Sequence, residues 1–119
     1  ISNTTGFSNI GIGYESLRDN TKGLRNLAVS TYALHKNDSG SYNVALGYES
    51  LKANISGDHN IASGYRSLFR NTIGDFNIAL GYGPLRNNLT GVRNIGIGWL
   101  AGYLNSSASN NIAIGAGAL

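Results

Sequence analysis

An asparagine followed by a branched apolar residue and then by Ala or Gly recurs at an unbroken interval of 17, at Asn9, Asn26, Asn43, Asn60, Asn77, Asn94 and Asn111. A second asparagine column lies eleven positions later in the unit, at Asn3, Asn20, Asn37, Asn54, Asn71, Asn88 and Asn105. The 119 residues equal seven such units, so residues 1–119 form one repeat domain. A unit this short cannot bury an apolar face of its own. It must stack on copies of itself, which makes the chain a solenoid.

Numbering the unit from the first asparagine, column two is Ile10, Leu27, Val44, Ile61, Ile78, Ile95 and Ile112, and column three holds only Gly or Ala. Column four is apolar except Ser63, column five is Gly except Ser30, and column nine is Leu except Gly102. Column fifteen is Gly except Ala108. Columns seven, ten, eleven, sixteen and seventeen vary and carry nearly all the charges.

The run "NIALG" alternates large and small residues, the period of a strand. Helical repeats run about twice as long, and Gly at two places in each unit disfavours helix. The pattern predicts an all-β fold, a β-solenoid of the β-roll kind with seven coils of 17 residues. With coils about 4.8 Å apart, the rod measures about 34 Å. Columns two and four are expected to fill the coil. The small third column is expected to face outward and leave room for the backbone of a neighbouring subunit. Both asparagine columns are expected to stack amide on amide, and the glycines of columns five and fifteen to mark corners with positive φ or close backbone approach.

"SYNVALGYESL" (41–51) and "DFNIALGYGPL" (75–85) resemble the head repeats of trimeric autotransporter adhesins. "NIALGYGPLRNNLTG" (77–91) is similar to repeats of bacteriophage tail fibres and related virion or cell-surface proteins. The likeness runs along the whole chain. The unit is longer here than the usual adhesin head repeat, with the extra residues outside the "NIALG" core. The resemblance implies a parallel β-roll with three chains side by side: a homotrimer in an extracellular attachment fibre, on a virion or on a bacterial cell surface. The chain begins at Ile1 and ends at Leu119 in mid-pattern, as expected of a fragment of a longer fibre.

Other chemistries find little footing. There is no Cys, which removes disulfides and thiolate sites. No apolar run approaches membrane-spanning length, and the net charge of +3 is spread over several columns, so neither membrane insertion nor nucleic-acid binding is expected. "GIGYES" (11–16) and "GIGWLAG" (96–102) lack the Gly-Lys-Ser/Thr of a phosphate loop. No nucleophile–base–orienter set exists, so no enzyme activity and no cofactor are expected. His35 and His59 are expected to be solvated. Asp58 and Asp75, adjacent in column sixteen, lack the calcium-solenoid signature. Glu49 and Arg66, adjacent in column seven, are expected to make a modest surface ion pair.

The column-six aromatics Tyr14, Tyr48, Tyr65, Tyr82 and Trp99 are expected to form a buried stacking ladder, with an exposed sugar-binding stripe as the alternative. Recognition is expected in the variable columns instead, at Phe7, Tyr42, Phe69, Phe76 and Tyr103. The expected role is a rigid trimeric rod that presents loops to a cell-surface glycan or protein receptor. The alternatives are a non-binding structural filament or surface protein, and a monomeric ice- or carbohydrate-binding solenoid; column thirteen has no regular Thr array for ice.

Overall fold

The computed structural model describes residues 3–119 and contains no helix among them. Seven three-residue strands follow one another: β1 (Ile10–Ile12), β2 (Leu27–Val29), β3 (Val44–Leu46), β4 (Ile61–Ser63), β5 (Ile78–Leu80), β6 (Ile95–Ile97) and β7 (Ile112–Ile114). They form one parallel sheet in chain order. The register never slips: Ile10 stands beside Leu27, Leu27 beside Val44, and Ile95 beside Ile112. The chain is a β-solenoid, 39 × 23 × 16 Å in its principal extents.

The orientation of the strands is the reverse of the expected one. Column three points inward: Ala28, Ala45, Ala62 and Ala79 are wholly buried. Columns two and four point outward, with Ile12 60% and Ile114 65% exposed. The interior is narrow, and column nine already fills it with Leu17, Leu34, Leu51, Leu68 and Leu85. At Gly96, in column three, an added Cβ would stand 2.8 Å from Leu85 Cγ. The small residues therefore make room for leucine from across the coil, not for another chain outside it.

Those leucines sit in the left-handed region, at φ 48–50°. The conformation costs about 1–2 kcal/mol for an L-residue. Burying a leucine side chain returns about 1.5–3 kcal/mol, so burial carries the turn. Columns seven and seventeen are left-handed as well, at Glu49 (φ 56°) and Tyr42 (φ 59°) among others.

The two glycine columns meet different needs. Gly47, in column five, combines φ 134° with backbone contact, since a Cβ there would stand 2.6 Å from Gly64 O. Column-fifteen glycines have no positive φ. A Cβ on Gly57 would stand 2.4 Å from Gly74 O and 2.5 Å from Asn54 Oδ1. Here only close approach excludes a side chain. The backbone tightens at the same corner: the N–H groups of Asp38, Ser39 and Gly40 all donate to Ile55 O, at 3.0, 3.0 and 3.2 Å.

Both asparagine columns are buried through the middle of the rod. In column twelve, Asn37 Nδ2 donates to Asn20 Oδ1 at 2.6 Å, and Asn54 and Asn71 repeat the contact at 2.7 and 2.9 Å. In column one the backbone N–H of Asn43 donates to Asn26 Oδ1 at 2.9 Å. The columns meet at the column-fifteen carbonyls: Gly57 O accepts from Asn54 at 2.9 Å and from Asn43 at 2.8 Å. Among the described residues no buried side-chain nitrogen or oxygen lacks a partner, as a buried amide column requires.

Candidate interaction surfaces

The outward face of the sheet is a band of aliphatic side chains. It carries Ile10, Ile12, Leu46, Ile61, Ile112 and Ile114 as exposed residues, with the other aliphatic members of columns two and four partly exposed and Ser63 as the one polar interruption. Six coil intervals of about 4.8 Å make the band about 29 Å long. Beside it runs column six. Tyr48 stacks on Tyr65 with centroids 5.6 Å apart, and Tyr65 on Tyr82 at 4.7 Å. The ladder is stacked but not buried as expected: Tyr14, Tyr48, Tyr82 and Trp99 are exposed, Trp99 by 58%. The reason is again the reversed orientation, which leaves no interior space for an aromatic after the strand.

Column seventeen makes a second stack on another edge. Tyr42 and His59 lie 4.8 Å apart and nearly parallel, and His59 and Phe76 repeat that spacing. Arg25 closes one end, with Cζ 5.5 Å from the Tyr42 ring and 5.9 Å from the Phe7 ring. Its Nη1 donates to Tyr42 Oη at 2.5 Å. Arg93 follows Phe76 in the column and donates to Asn110 Oδ1 at 3.1 Å. Of the five aromatics singled out from sequence, Phe7, Tyr42 and Phe76 thus share one edge, joined by Arg25 and His59.

Phe69 and Tyr103 lie elsewhere, in column ten and two coils apart. Leu85 of column nine packs toward Gly96 of column three, so this leg lies across the core from the sheet. Lys52 Nζ is 5.8 Å from the Phe69 centroid, Arg66 Cζ 5.3 Å and Arg86 Cζ 5.8 Å. Beside them a groove of about 390 Å³ is bordered by Lys36, Lys52, Phe69, Arg70, Thr72 and Leu89. Net charge and column spacing gave no sign of this cluster. Its members come from columns seven, ten and eleven, which only the curl of the coil brings together.

Glu49 lies beneath these cations and is buried, where an exposed pair was expected. Lys52 Nζ donates to Oε1 at 2.5 Å and Arg66 Nε to Oε2 at 2.6 Å. Burial opposes the carboxylate's charge, but the hydrogen bonds from Lys52 and Arg66 outweigh it and hold Glu49 below its ordinary value. The expectation of a solvated His35 also fails: the ring is buried, with Nδ1 3.2 Å from Glu15 O, and packs edge-on against Tyr32. His59 is exposed in its stack.

Asp58 and Asp75 are occupied with backbone. Asp75 Oδ1 accepts from Asp58 N at 2.8 Å, and Asp58 Oδ1 from Ser41 N at 2.7 Å. Among the described residues no group of three or more His, Asp or Glu could hold a metal ion. Asn-x-Ser/Thr triplets, the pattern of N-linked sugar attachment, stand at Asn3, Asn37, Asn54, Asn88 and Asn105. At 37, 54 and 88 the side-chain nitrogen is inside the rod with its hydrogens bonded, while Asn3 is exposed and Asn105 partly buried.

Comparison of the chain with protein-family models, with curated proteins and with solved structures finds no match.

Proposed function

We propose that the chain is a rigid segment of an extracellular attachment fibre, on a virion or a bacterial surface, in which three copies lie side by side and present their loops for multivalent binding. The observation that carries the reading is the aliphatic band of columns two and four. All-parallel sheets are covered on both faces almost without exception, and here the coil covers only one. An exposed apolar surface of this length, broken in one column only at Ser63, marks an interaction site. Its repeat at every coil suits a partner with the same repeat, which is another copy of this chain lying parallel. Three copies triple every surface site, so weak contacts add to firm attachment.

The test is molecular mass in solution by light scattering. Three times 12.5 kDa is expected, and a mass near 12.5 kDa overturns the trimer. Ile61→Lys, in the middle of the band, is expected to lower the mass while circular dichroism stays unchanged. A glycan array separates an adhesive fibre from an inert shaft, and failure to bind at high valency favours the shaft.

A further inference from the structure

We propose that the groove beside Phe69 binds an acidic saccharide, its carboxylate or sulfate groups held by Lys36, Lys52 and Arg70 at the groove, with Arg66 and Arg86 adding positive charge beside Phe69. The inference deepens the proposed function by naming a receptor class, yet it concerns the face across the core from the apolar band.

Charge is the first support. Lys36, Lys52 and Arg70 border the groove, and Arg66 and Arg86 stand by Phe69 beside it, against one carboxylate, Glu49, on a chain whose whole net charge is only +3. Glu49 is buried under Lys52 and Arg66 and does not reach the groove. Asp19, one coil below Lys36, is held by Arg18, with Nε–Oδ1 at 2.9 Å. Lys36 and Arg70 are exposed. The excess of positive charge therefore faces solvent across a groove of about 390 Å³.

Order is the second. Phe69 is flanked by Lys52 from the coil below and Arg86 from the coil above, with Arg66 at 5.3 Å from its ring centre. Cation–π contacts of this kind contribute about 0.5–1 kcal/mol each at exposed sites. They hold long side chains that would otherwise lose rotamer freedom on binding. Arginine's planar fork matches carboxylate and sulfate with paired hydrogen bonds.

The geometry favours saccharide over nucleic acid. From Lys36 to Arg86 is three coil intervals, about 14 Å, a short track beside the several phosphates a nucleic-acid site neutralises. Single-stranded nucleic acid also needs free aromatic faces for its bases, and cations surround Phe69. A chain of sugars with charges on one edge needs only the row of cations.

The experiment is calorimetric titration of the intact protein with a heparin hexasaccharide, as the sulfated probe, and with an oligogalacturonate, as the carboxylated one. Saturable, salt-sensitive binding of either is expected, and the tighter probe identifies the anionic group. Lys36→Gln combined with Arg70→Gln leaves the Glu49 pairs intact and is expected to weaken binding about tenfold or more. Arg93→Gln, in column seventeen and outside the groove, is expected to leave it unchanged. Absence of saturable binding by both probes overturns the proposal. So does equal weakening by Arg93→Gln, or equal affinity for oligodeoxythymidylate or oligoglutamate of the same charge. Light scattering on the same samples keeps the two readings apart: a monomer that binds removes the trimer and keeps the groove, and a trimer that does not bind does the reverse.

Discussion

Asn54 donates one amide hydrogen to Asn37, one coil away, at 2.7 Å, and the other to the carbonyl of Gly57 at 2.9 Å. Its own oxygen accepts from Asn71 at 2.9 Å. Every polar atom of a wholly buried side chain is thus engaged, and each bond joins one coil to the next or closes a corner.

Replacing Asn54 by Ala removes these bonds together and leaves the Asn71 amide short of an acceptor. A loss of about 2–4 kcal/mol is expected from unsatisfied buried groups and lost packing. Asn105, in the same column but only partly buried, is expected to lose clearly less when changed to Ala. Urea unfolding of both variants measures the difference, and equal losses would remove the ladder as the cause.

Ser30 stands at φ 117° in a column otherwise glycine. An L-residue there carries about 1–3 kcal/mol of strain. Ser30→Gly is expected to raise the melting temperature, and Gly47→Ala to lower it sharply, because a Cβ on Gly47 meets Gly64 O at 2.6 Å. A Ser30→Gly variant no more stable than the parent contradicts the assignment of strain.

Acid should uncouple Glu49. Its carboxyl titrates below the ordinary value of 4.5 in the folded chain. The unfolded chain therefore takes up the proton first, and the pairing stabilises the fold fully above that value. The contribution is lost as pH falls below 4.5 and through the lower folded value. Glu49→Gln is expected to flatten this part of the stability profile and to destabilise the protein at neutral pH. An unchanged acid limb in urea melts at stepped pH values refutes the role of this pair.

The leucine column breaks at Gly102, and a cavity of about 200 Å³ lies there, bordered by Leu85, Gly102, Leu104 and Ala113 among others. Gly102 has φ 65°, left-handed like the leucines of its column, and an added Cβ would crowd the end of the Leu85 side chain, 2.7 Å from Cδ2, with Ala113 Cβ in ordinary contact at 3.7 Å. Gly102→Leu is expected to extend the column and raise stability by about 1–2 kcal/mol. A lower melting temperature would mean that Leu85 cannot move aside.

The coil itself was legible because Asn9 and its equivalents return without a slip, and only stacking of identical units rewards such regularity. The parallel sheet, its order and its register all follow from the spacing of 17. The glycines at 47 and 57 were legible as sites without a side chain, although the separate reasons for each needed the backbone.

Alternation in "NIALG" states that Val44 and Leu46 share one face and Ala45 takes the other. It does not state which face is inside, since a period of two is symmetric. Volume decided that. Leu51 and its equivalents occupy a narrow interior, leaving space for a methyl group and none for valine or isoleucine. The same decision put the aliphatic band and the column-six aromatics outside. The cations around Phe69 were equally hidden, because their neighbours in space stand three, four and seventeen positions apart in the chain. The sequence by itself determined the unit and its stacking; the thickness of the folded coil decided which of its surfaces meet the outside.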